Sequence, residues 1–84
     1  MTYYNDLSNY VQKEILNMYP PILTCNIHKL PKNLGYTIEF IFKVREDLSE
    51  NQISVYYDTI DYKLFNYFES NKIKCNYIII LSKI

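Results

Sequence analysis

Residues 36–44 read YTIEFIFKV, and the even positions Tyr36, Ile38, Phe40, Phe42 and Val44 are all apolar. Of the four residues between them, Thr37, Glu39 and Lys43 are polar and only Ile41 is not. Successive side chains of a strand point to opposite faces, so this period of two specifies a strand with one face in a core and the other largely in water. The aromatic and β-branched content suits a pleated, half-buried surface. A helix would scatter the same five residues around its circumference. The remaining segments are read by how they cover this strand.

Residues 5–18 carry Leu7, Tyr10, Val11, Ile15 and Met18 on one stripe, with Asp6, Asn9, Gln12, Lys13 and Asn17 opposite. That spacing predicts an amphipathic helix capped by Asn5 or Asp6. Tyr19-Pro20-Pro21 ends it, because proline cannot continue a helix. In Ile22–Leu30, Leu23, Cys25 and Ile27 share one face of a second half-buried strand, and Thr24, Asn26 and His28 share the other. Residues 31–35, with the only glycine, read as a hairpin connection into the central strand. Gln52–Asp58 alternates again, with Ile53, Val55 and Tyr57 inward, and predicts a third strand. A second helix is expected over residues 60–70, capped by Asp58, Thr59 or Asp61 and closed by a left-handed Asn71. Residues 76–82, NYIIILS, form the last strand.

The expected fold is therefore a single α+β domain over residues 1–84, a two-layer sandwich of order α-β-β-β-α-β. A three-stranded antiparallel meander is joined by a fourth strand, and both helices cover one face, because the other face of the first three strands is polar.

Composition narrows the function. Nine acidic and nine basic residues give a formal net charge of zero, so no global field recruits nucleic acid or an anionic membrane. Ile, Asn, Lys and Tyr dominate the chain, the signature of AT-rich codons, and this points to a phage, a virus or a low-GC bacterium. The start, MTYYNDLSNY, lacks the basic and apolar regions of a signal peptide, and the apolar run Tyr77–Leu81 is too short to span a bilayer. Two cysteines, Cys25 and Cys75, are read as reduced buried thiols, and the expected compartment is the cytoplasm.

Catalytic chemistry finds little support. Cys25 and His28 lie three apart in one strand and so point to opposite faces. Two Cys and one His spread over fifty residues do not make a zinc site, and one glycine cannot build a phosphate-cradling loop. Asp58 and Asp61 could hold a hard cation, but they equally suit a helix start. The chain is read as a non-enzyme with no cofactor and no metal.

Two features point to a partner instead. Tyr77, Ile78, Ile79, Ile80 and Leu81 are apolar on both faces of the last strand, and Ile41 and Tyr56 extend that apolar surface. Such a strand at a sheet edge must be paired or covered. Residues 46–62 carry Glu46, Asp47, Glu50, Asp58 and Asp61 and no basic residue, an acidic docking surface for a basic partner. The expectation is a small protein-binding regulator or inhibitor, homodimeric through its last strand. The alternative is a nucleic-acid-binding module, since α-β-β-β-α is also the order of double-stranded-RNA-binding domains. Only His28, Lys29 and Lys32 supply a basic tip for that purpose.

Overall fold

The computed structural model describes residues 2–32 and 35–84, with side chains described over residues 5–30 and 37–84. The elements run α1 (Thr2–Val11), a π-helical turn (Gln12–Leu16), β1 (Ile22–Lys32), β2 (Gly35–Val44), α2 (Glu50–Ser70) and β3 (Asn76–Lys83). The protein is thus a small α+β chain with two helices and, among the described residues, a three-stranded mixed sheet of order β1-β2-β3. Of the expected connection over residues 31–35, Pro31, Lys32 and Gly35 belong to the strands instead, and Asn33 and Leu34, like the side chain of Tyr36, lie outside the described residues.

The opening alternation holds along β2. Ile38, Phe40, Phe42 and Val44 are buried, whereas Glu39, Ile41 and Lys43 are partly exposed. Thr37 is the exception, a polar residue of the second face that is nevertheless buried. The four apolar residues share one core cluster with Leu7, Val11 and Ile15 of the N-terminal helix and with Ile60, Leu64 and Phe68 of α2. Leu7, Val11 and Ile15 are spaced by four, which drifts about 40° per step around an α-helix. The wider π turn, closed by Asn17 N–H donating to the Gln12 carbonyl at 3.0 Å, offsets that drift and keeps Ile15 on the buried side.

β1 pairs antiparallel with β2, from Ile22 opposite Val44 to Lys32 opposite Gly35. Pro31 is tolerated near the end of β1 because β1 is an edge strand. The register shifts between Ile22 and Thr24, so Leu23 is the extra residue of a bulge. Ile22 takes the buried place beside Val44 and Leu23 stays exposed, contrary to the inward position that simple alternation predicts.

The largest correction concerns residues 50–59. The expected third strand over Gln52–Asp58 is instead the first half of a 21-residue helix, α2. A capping box starts it: Gln52 N–H donates to Ser49 Oγ at 3.2 Å, and Ser49 N–H donates to Gln52 Oε1 at 2.8 Å. Ile53, Tyr56, Ile60, Leu64, Tyr67 and Phe68 then form a helical stripe against the core. The alternation of Ile53, Val55 and Tyr57 is a short coincidence within that longer period, and Val55 and Tyr57 are exposed.

The expected caps move accordingly. Asp58, Thr59 and Asp61 lie inside α2, and Thr59 Oγ1 donates back to the Val55 carbonyl at 3.0 Å. At the far end Asn71 is not left-handed (φ −97°); Lys72 is (φ 55°). Lys72 N–H donates to the Glu69 carbonyl and Ile73 N–H to that of Phe68, the paired bonds of a Schellman end.

Without a strand at 52–58 the described residues form neither a three-stranded antiparallel meander nor a fourth strand. β2 takes β3 as its second neighbour, in parallel, with α2 as the crossover. Phe40 is level with Ile79 and Phe42 with Leu81. Tyr77 stacks on Phe68 of α2 (ring centroids 5.4 Å apart) and meets Phe40 edge-on at 6.3 Å, tying helix, edge strand and central strand together.

Candidate functional site

The parallel register of β2 and β3 divides the residues expected to form an interface. Tyr77, Ile79 and Leu81 are level with Ile38, Phe40 and Phe42, and so belong to the core side. Ile79 is buried, and Tyr77 and Leu81 are partly buried against the core. Ile78 and Ile80 fall on the other side with Glu39 and Ile41, and remain 42% and 39% exposed. Ile80 is directly level with Ile41. The strip is therefore built from Ile41, Ile78 and Ile80.

Tyr56 does not join it. It sits on α2, half-buried, with its ring edge-on to Tyr19 at 5.9 Å. Together these rings help to line a shallow cleft of about 390 Å³, completed by Asn51, Gln52, Val55 and Thr59. Lys63 Nζ lies 5.8 Å from the Tyr19 ring centroid and 3.8 Å from Glu14 Oε1, which clamps the end of the π turn onto α2.

Edge character is the second property of β3. Among the described residues it is bonded to β2 alone, so one of its long sides is unpaired. Backbone donors and acceptors on that side form a template for another strand. β3 contains no proline over its eight residues, and its charge is confined to Lys83 at the end. The usual devices that blunt an edge are thus absent from its middle.

The five carboxylates of the expected acidic docking surface are all exposed, but they do not act as one group. Arg45 Nε donates to Asp47 Oδ1 at 3.0 Å in the loop that also carries Glu46. Glu50 lies in the first turn of α2, where it complements the helix dipole. Asp58 is about 12 Å further along the helix axis. Asp61 accepts a 2.7 Å hydrogen bond from the Tyr77 hydroxyl. Desolvation is the main reason that this phenol is held above its ordinary range, and the bond to Asp61 adds to it.

Sequence reading missed the outer face of α2. Val55, Tyr62 and Phe65 are 63%, 70% and 54% exposed, and all three lie within a narrow arc of the helix. Their signal was available in the spacing, but it emerges only once residues 50–59 are recognised as helical.

The remaining chemistry-bearing groups stay apart. Cys25 is level with Phe42 and His28 with Glu39, hence on opposite faces. Burial pushes the Cys25 thiol up to about 12, and burial also raises that of Cys75. Among the described residues no three of His, Cys, Asp and Glu come together as a metal-binding group would, and no helix is long and apolar enough to cross a membrane. No protein-family model, curated protein or solved structure matches the chain.

Proposed function

We propose that this protein works by binding protein, as a small non-enzymatic regulator or inhibitor, and that it is a homodimer joined through β3. The observation that carries the proposal is the combination at β3 of an unpaired edge with two isoleucines left about two-fifths exposed.

Both helices are taken to cover the even-numbered face of β2, which makes a two-layer molecule. The face with Ile41, Ile78 and Ile80 is then open. Two copies related by a two-fold axis would pair their β3 edges antiparallel and continue the sheet across the boundary to six strands. The backbone groups of each edge would be satisfied by the other. Ile78 and Ile80 of the two copies would meet near the axis, and their burial would contribute on the order of a few kcal/mol. An edge-to-edge contact is small, so the dimer is expected to exchange with monomer at micromolar concentration.

Sedimentation or light scattering across a dilution series tests this. The wild type should show a mass that rises from one chain toward two, and Ile80→Lys, which puts a charge at the boundary, should remain one chain throughout. A wild type that is monomeric at about 100 μM, near −5.5 kcal/mol on the affinity scale, refutes the dimer.

A further inference from the structure

We infer that the solvent face of α2 is a docking site for a cationic amphipathic helix of a different protein. This inference rests on a surface separate from the β3 edge and stands or falls independently of the dimer.

Val55, Asp58, Tyr62, Phe65 and Glu69 are spaced alternately three and four residues apart. This is the spacing of a seam that meets another helix. Its three large apolar members are more than half exposed, although the same helix already buries its opposite stripe in the core. A helix needs only one apolar stripe to be held in a domain. Among the described residues the core cluster does not include the second stripe.

The charges identify the occupant. α2 contains Glu50, Asp58, Asp61 and Glu69 against a single Lys63, whose ammonium is engaged with Glu14 and the Tyr19 ring. The stripe itself carries two carboxylates and no cation. Glu69 also stands in the last turn, where a negative charge opposes the helix dipole and no basic residue shares the turn, Lys72 lying just beyond the C-cap. Helix stability does not account for that placement, whereas attraction of a cationic partner does.

A second copy is a poor occupant. In antiparallel self-pairing centred on Tyr62, Asp58 would face Phe65 of the other copy and Glu69 would face Val55. Four carboxylates would then lose water without gaining a cation. Parallel self-pairing would set Asp58 against Asp58 and Glu69 against Glu69. A helix with Lys or Arg at the positions opposite Asp58 and Glu69, and aliphatic residues opposite Val55, Tyr62 and Phe65, satisfies every member of the stripe. The cleft between Tyr19 and Tyr56 adjoins Val55 and offers room, beside the N-terminal half of α2, for one apolar side chain of such a helix.

The test uses a fluorescent Lys/Leu heptad peptide of roughly three heptads and its Glu/Leu counterpart. Binding to the whole protein is followed by anisotropy at about 50 mM and about 300 mM salt. The Lys/Leu peptide should bind and the Glu/Leu peptide should not. Asp58→Lys with Glu69→Lys should weaken the basic peptide at least about tenfold and admit the acidic one. Glu46→Lys with Asp47→Lys makes the same change of net charge off the helix and should alter affinity less than about twofold. Phe65→Ser should weaken binding without changing its salt dependence. Should the double lysine variant fail to fold by circular dichroism, Asp58→Asn with Glu69→Gln serves the same purpose. Ile80→Lys should bind the peptide like the wild type, which separates this surface from the β3 edge. No binding of the Lys/Leu peptide, or equal losses from on-stripe and off-stripe charge reversal, would overturn the inference.

Discussion

Ile38 and Ile41 allow the same atoms to be removed from the two faces of one strand. Ile38 is fully buried among the core residues of β2, while Ile41, three residues on, lies on the second face and is only partly covered. Truncating a buried isoleucine to alanine loses the transfer free energy of its methyl groups and leaves a cavity, together about 2–5 kcal/mol. Ile41 is partly exposed, so less of the transfer contribution is at stake and no closed cavity forms, and Ile41→Ala should cost about 1–2 kcal/mol. For 84 residues the whole stability is on the order of 4–13 kcal/mol, so the first change is a large fraction of it and the second is not. Urea unfolding of dilute protein, followed by far-UV circular dichroism, measures both. With an m-value of about 1 kcal/mol per molar, the midpoint should fall by about 2–5 M for Ile38→Ala and by about 1–2 M for Ile41→Ala. Equal losses from the two substitutions would refute the assignment of one closed and one open face, and with it the basis for an interface on the sheet.

Three further outcomes follow from the local chemistry. Ser49→Ala removes one half of the capping box and should lower the unfolding free energy by about 1 kcal/mol; an unchanged urea midpoint would mean that α2 is nucleated elsewhere. Desolvation raises the phenols of Tyr77, Tyr10 and Tyr67, and for Tyr77 the bond to Asp61 adds to the effect. A group whose pKa is higher folded than unfolded stabilises the fold fully below its unfolded pKa, about 10 for tyrosine, and that contribution is lost as pH rises further. Stability should therefore fall above about pH 10, less steeply in Tyr77→Phe; phenols that all ionise by then with the fold intact would contradict this. Cys25, with its thiol held up to about 12, should react slowly with a disulfide reagent at neutral pH and quickly in urea, and rapid native modification would show that it is not protected.

Much of the sheet was legible because a period of two along residues 36–44 admits one structure, and the limits of β3 were readable from an apolar run between polar ends. Over residues 52–58 the alternation of Ile53, Val55 and Tyr57 masks a longer helical pattern. Ser49 and Gln52 carried a helix-start signal, and Ile53, Ile60, Leu64 and Phe68 carried the matching period. That one change removed a strand, exposed the second side of β2 to β3 and made their pairing parallel. The interface changed with it. Tyr77, Ile79 and Leu81 turned inward because the register sets them beside Ile38, Phe40 and Phe42, a relation that no local pattern contains. Leu23 was misplaced for a similar reason, since a bulge is set by the pairing of two strands. Val55, Tyr62 and Phe65 were hidden by the same misassignment that hid α2.

Amide hydrogen exchange along β3 addresses the proposed mode of action most directly. Alternate amides of Asn76–Lys83 point away from β2 toward the unpaired side. If protein binding proceeds through that side, these amides should exchange fast in dilute protein and slow markedly as concentration rises, and in Ile80→Lys they should remain fast at every concentration. Exchange that is independent of concentration in the wild type, at concentrations reaching about 100 μM, would contradict an edge that waits for another chain.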